Sequence, residues 1–146
     1  MGKINLDYMA GIFDGEGCII IAKRKPISKT SEINPSYWIR IGVQITDRWI
    51  CELFKFSFGG RIEISKKPTN KTFTCWRWVV DGQDASDILK ILLPHLHLKR
   101  AQAELAIQFQ NNKHHGGWGG QKPKEYTILE EANYVLMRNL KREKML

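Results

Sequence analysis

The chain has 146 residues, 42% hydrophobic and 26% charged, which gives one domain with enough apolar material for a core and excludes wholesale disorder. Lysine and arginine outnumber aspartate and glutamate by 23 to 15, a formal net charge of +8, and so strong a basic balance points to a polyanionic partner, most often nucleic acid. No apolar run approaches the ~20 residues that cross a bilayer, and Cys18, Cys51 and Cys75 match neither a zinc spacing nor a disulfide framework. No membrane partner is expected. The first motif begins by Met9, which leaves no room for a targeting peptide, so a cytoplasmic (bacterial, phage or archaeal) or organellar location is expected.

In chain order, Leu6, Met9, Ala10 and Phe13 fall at helical spacing, and the glycines of Asp14-Gly15-Glu16-Gly17 are expected to stop that helix. Cys18–Ala22 and the Lys23-Arg24-Lys25 run that follows predict a strand of roughly eight residues. The segment 26–35 reads as a loop. Ile39, Ile41, Val43 and Ile45 alternate with Arg40, Gly42, Gln44 and Thr46, a strand with one core face and one polar face. Asp47 to Phe58 predicts a helix with Asp47 as its N-cap, broken by Gly59-Gly60. Arg61–Lys66 and Phe73–Val80 predict a hairpin, with Trp76, Trp78 and Val80 on one face and Cys75, Arg77 and Val79 on the other. Helices are expected from Asp84 to Leu93, from His97 to Asn112, and from a Thr127/Glu130 capping box onward. The glycine-rich stretch 116–120 reads as a loop. The order α-β-β-α-β-β-α predicts an α+β fold, a four-stranded antiparallel sheet with helices on one face.

The other sheet face is then expected to carry Arg24, Arg40, Gln44, Arg61, Lys66 and Arg77. Long donors on an open sheet suit a DNA major groove, where arginine reads guanine and glutamine reads adenine bidentately. Gly42 among them would let the groove wall come close. His95 and His97 lack the further ligands of a zinc site and read as packing or phosphate-facing groups. Lys141 and its basic neighbours near the C-terminus read equally as a phosphate grip or a solvated helix end.

Met9-Ala10-Gly11-Ile12-Phe13-Asp14-Gly15-Glu16-Gly17 resembles the LAGLIDADG motif of homing endonucleases. Gly11 and Gly15 lie four apart on one helix face, where two backbones can approach closely. Val43-Gln44-Ile45-Thr46, Phe58-Gly59-Gly60-Arg61-Ile62 and Leu93–Ala103 resemble further family segments, in the right order from Tyr8 to Gln110. The resemblance implies the αββαββα LAGLIDADG fold and a site-specific endonuclease that makes a double-strand break by metal-dependent phosphodiester hydrolysis in a long, near-palindromic DNA site.

It also implies roles. Glu16 would bind Mg²⁺ or Mn²⁺ together with the Gly15 carbonyl, Lys99 would lie near the scissile phosphate, and Asp47 would fall where the family organises solvent. Glu16 departs from the commoner aspartate by one methylene, and Asp47 replaces an amide. Because one motif supplies half an active site, the whole chain is expected to be one subunit of a homodimer whose interface includes Met9, Ala10, Gly11 and Phe13. Rival readings are an RNA maturase and a non-cleaving DNA-binding regulator. Intact Glu16 and Lys99 argue against the second, because a pure binder gains nothing from an acid placed beside phosphate.

Overall fold

A computed structural model of the chain describes residues 5–25, 35–113 and 122–143, so most of the expected loop 26–35 and all of 116–120 lie outside the described residues. Helix α1 (Leu6–Glu16) begins on Asn5, whose side chain accepts from the Asp7 amide at 2.8 Å. It ends at Glu16, within the expected Asp14–Gly17 stop. Gly15 sits inside it without ending it, and the chain turns extended only at Gly17, where a Cβ would overlap the Phe13 carbonyl and ring. Strands β1 (Gly17–Arg24) and β2 (Ser36–Ile45) follow, then α2 (Arg48–Phe58), β3 (Arg61–Lys66) and β4 (Cys75–Asp81). Helices α3 (Gly82–Leu92), α4 (Arg100–Asn111) and α5 (Lys124–Glu143) complete the chain, with a single 3-10 turn at Leu93–His95 around Pro94.

The sheet order is β1-β2-β4-β3, antiparallel throughout. Its inner face carries Ile19, Ile21, Ile39, Ile41, Val43 and Trp78, all buried under the helices. Trp78 packs on Phe54 with ring centroids 4.9 Å apart, and its indole N–H donates to the Gly59 carbonyl at 2.7 Å. Gly59 and Gly60 have φ of 78° and 92°, the left-handed region that glycine tolerates, so the α2–β3 turn is where this pair is required. Residues His97 to Lys99, expected to be helical, lie before α4 and are held by tertiary bonds described below. Thr127 is interior to α5, which starts after Pro123, so the expected capping box does not form; Glu130 pairs with Lys122 and Lys113 instead.

Gly42 has an explanation within the sheet itself. It lies between Cys18 and Val79 in the register, and a Cβ there would stand 2.6 Å from the Trp78 carbonyl oxygen. The neighbouring backbone cannot yield without breaking the ladder. Gly42→Ala should therefore cost about 1–3 kcal/mol of stability, as other overpacked sites do. The check is the urea midpoint, which should fall with an unchanged slope.

Candidate nucleic-acid interface and active site

The C-terminal end of α1 gathers the first group of residues. Asp14 is buried, and its carboxylate accepts from three successive backbone amides, those of His97 at 2.7 Å, Leu98 at 3.2 Å and Lys99 at 3.1 Å. Burial works to raise the Asp14 carboxyl, but these bonds and the Lys99 charge more than offset it and hold the group below its usual range. The Lys99 ammonium donates to the Asp14 carbonyl at 2.6 Å. Lys99 is thus brought from the far side of the sequence onto Asp14, two positions before Glu16, which is exposed at the helix end. The sequence named Glu16, Gly15 and Lys99; it gave Asp14 no role in assembling them. The signal was a second acid in the motif at a position facing the core.

Asp47 is the N-cap of α2, its carboxylate accepting from the Trp49 amide at 3.0 Å. Of the two roles the sequence offered for Asp47, the cap is the one with a visible partner. His95 contacts Asp7 at 2.6 Å, and His97 contributes its backbone to Asp14.

The open sheet face follows from the register. Across the strands, Gln44, Arg77 and Glu63 form one row; Cys18, Gly42, Val79 and Arg61 the next; and Ile20, Arg40 and Asp81 the third. Arg24 pairs with Ser36 at the far end. Simple alternation would turn Lys66 away from Arg61, but a register shift between Ile64 and Lys66 brings Lys66 opposite Cys75. All six expected side chains thus belong to this face. Two acids join them that the sequence reading omitted. Asp81 takes Arg40 at 2.6 and 3.1 Å and Arg61 at 3.5 Å; Glu63 takes the Arg77 Nε at 2.9 Å and Arg61 at 3.6 Å. Period-two spacing from Arg61 to Glu63 and from Arg77 to Asp81 was the available signal.

On α1 the expected interface is revised. Met9, Ala10 and Phe13 are at most 1% exposed within the single chain, so they have no surface left to give a partner. The outward positions are Asp7, Tyr8, Gly11, Gly15 and Glu16, with Leu6 and Ile12 half-buried. A Cβ at Gly11 or Gly15 would meet nothing within 4 Å. Helix α5 packs on β1 and β2 through Lys23–Glu131 at 2.9 Å, a Tyr37–Glu131 hydrogen bond and buried Met137. This carries the Lys141 ammonium to 3.2 Å from the Cys18 thiol, at the start of β1. Among the described residues no helix is long and apolar enough to cross a membrane.

The sequence matches no protein-family model and no curated protein. Its structure is similar to several solved ones. It matches the homing endonuclease I-CvuI in complex with its DNA target in the presence of calcium (TM-score 0.72, 21% identity, 92% of this chain and 80% of that one). It matches the homing endonuclease I-TnaI over 97% of this chain and 96% of that one (TM-score 0.68, 15% identity). A third match is the archaeal intron-encoded homing endonuclease I-Vdi141I complexed with DNA (TM-score 0.65, 17% identity, 94% and 82%). The chain has the fold of the LAGLIDADG homing endonucleases, as its motif led one to expect.

The Asp14 geometry makes a pH-dependent prediction. A carboxyl whose folded pKa is depressed contributes stability that is present above its unfolded pKa, about 3.9, and is lost as pH falls through the lower folded value. Asp14→Asn should destabilise by about 1.5–3 kcal/mol at neutral pH, the worth of hydrogen bonds to a charged group. The gap to wild type should narrow below about pH 4. Urea midpoints at pH 7 and pH 3 measure it; an equal gap at both would mean that the charge of Asp14 is immaterial.

Proposed function

We propose that this chain is one subunit of a homodimeric, divalent-metal-dependent endonuclease that cuts duplex DNA at a long, near-palindromic site. The observation that carries the reading is the junction at the end of α1, where Asp14 takes both the backbone amide and the ammonium of Lys99, two positions before the exposed Glu16 in the chain. Named relatives of this fold are homing endonucleases seen with DNA and with calcium or magnesium, which agrees with the reading.

The donors at the junction are hard oxygens: the Glu16 carboxylate and the Gly15 carbonyl at the negative end of the helix. That set suits Mg²⁺ or Mn²⁺, which take few carboxylates and complete their shell with phosphate oxygens and water. Among the described residues no group of three or more His, Cys, Asp or Glu side chains comes together. The ion would therefore be shared between Glu16, the DNA and a second subunit. A divalent ion so held supplies Lewis-acid charge and lowers the pKa of bound water. Lys99 offsets charge developing on the scissile phosphate, in a position fixed before substrate arrives. The open face offers Gln44 and the arginines to base edges, while phosphate contacts set affinity and register. Strand β2, with 10 residues, is long enough to follow roughly nine base pairs at ~3.3 Å per residue against ~3.4 Å per base pair.

Dimerisation through α1 rests on its two outward glycines. Each costs a helix about 1 kcal/mol relative to alanine. Neither is needed for packing within the subunit, since the space beside both is empty. A second copy's helix laid against them accounts for the cost and brings two Glu16 side chains together.

Glu16→Gln keeps shape and removes charge, so it should reduce cleavage by orders of magnitude while specific binding persists; Lys99→Met should lower the single-turnover rate far more than affinity. Cleavage of duplex DNA with and without Mg²⁺, beside binding of the same duplex, tests both, and wild-type cutting by Glu16→Gln would overturn the reading. A Cβ at Gly11 meets nothing within 4 Å inside the subunit, so Gly11→Leu should leave the fold intact yet convert a dimer to monomers by light scattering. A wild-type monomer that cuts both strands specifically would refute the dimer.

A further inference from the structure

The acids on the open face ask for an explanation that DNA binding alone does not give. Arg40, Asp81, Arg61, Glu63 and Arg77 form a continuous ladder of alternating charge across β2, β4 and β3. Two carboxylates on a surface that meets phosphate weaken attraction, so affinity is not what they supply. Asp81 also occupies the N-cap position of α3 without making the cap bond. Its two oxygens go to Arg40, and one of them also faces Arg61. An aspartate at that position ordinarily caps the helix, so the pairing is chosen over a local alternative. Arg40 is further placed by Trp38, whose ring centre lies 5.9 Å from the guanidinium carbon. Burial works to raise the Asp81 carboxyl, but Arg40 and Arg61 more than offset it, so it stays ionised at neutral pH.

We propose that Asp81 and Glu63 are specificity-determining positioning residues, which hold Arg40, Arg61 and Arg77 so that their remaining N–H donors meet guanine edges in the major groove. This rests on the reading that the open face contacts duplex DNA. A guanidinium has five donors, and Asp81 uses two of those on Arg40, which leaves enough for a bidentate guanine contact. A planar group held on one edge by a carboxylate presents its free edge in a fixed direction. The three arginines lie in successive rows two residues apart, roughly 6.7 Å. That is about two base-pair steps. The half-site implied has guanines at two or three positions spaced in this way.

The test is binding of wild type, Arg40→Ala, Asp81→Asn and Glu63→Gln to every single-base variant of the target, with an unrelated duplex alongside. Asp81→Asn should lose roughly fivefold or more discrimination at the base pair that Arg40→Ala identifies, while affinity for unrelated DNA stays equal or rises. A merely structural role would weaken all sequences alike. Glu63→Gln should do the same at a different position, the one nearest Arg77, and decides the matter if Asp81→Asn does not fold cooperatively. An unchanged preference profile, or uniform weakening, overturns the proposal while leaving the DNA-reading face intact. A wild type without base preference, or an Arg40→Ala profile identical to wild type, overturns the reading beneath it and this proposal together.

Discussion

The Asp14 carboxylate, bonded to the amides of His97, Leu98 and Lys99, is the interaction on which the site depends. The residues between the 3-10 turn and α4 have no ladder to satisfy their backbone N–H groups, and a buried unpaired donor costs about 1–3 kcal/mol. Asp14 satisfies three at once and ties the end of α1 to a segment more than eighty residues later in the chain. Lys99 then rests on the Asp14 carbonyl, at the negative end of the helix dipole, where a cation is favoured. Asp14 and Glu16 are two residues apart, which at ~100° per residue turns them about 200° from each other. One acid therefore points into the core to organise, and the other points out to solvent.

The open face is governed by a second constraint, the mixture of signs within a sheet register. Net charge describes the chain as attractive to a polyanion, but the local picture is a ladder in which every arginine near the centre already has a carboxylate. Exposed ion pairs contribute little to stability, typically ~0–1 kcal/mol, so the ladder is better understood as geometry than as glue. Arg24 and Lys66, outside the ladder, are exposed and suited to phosphate.

The glycines divide by physical cause. Gly42 and Gly17 are dictated by close backbone approach within the subunit, and Gly59 and Gly60 by left-handed φ. Gly11 and Gly15 have neither cause inside the chain. The same residue type thus reports packing, conformation or a missing neighbour, and only the surroundings tell which.

The sequence alone determined the order of elements, the β3 bounds, the alternation that puts Trp78 inside and Arg77 outside, and the fold that the motif at Met9–Gly17 implies. These are legible because periodicity and turn chemistry act over a few residues. It placed the end of α1 within Asp14-Gly15-Glu16-Gly17 but could not show that Asp14 anchors that end through distant amides. It extended α4 over His97–Lys99 because helical spacing cannot reveal that those amides are claimed by another element. It counted the arginines of the open face without Asp81 and Glu63, since which charges become neighbours is decided by register between strands far apart in sequence. And it assigned Met9, Ala10 and Phe13 to a partner, whereas burial within the chain's own core removes them. A helix stripe shows that a face is apolar; what covers that face is settled only when the whole chain has folded against it.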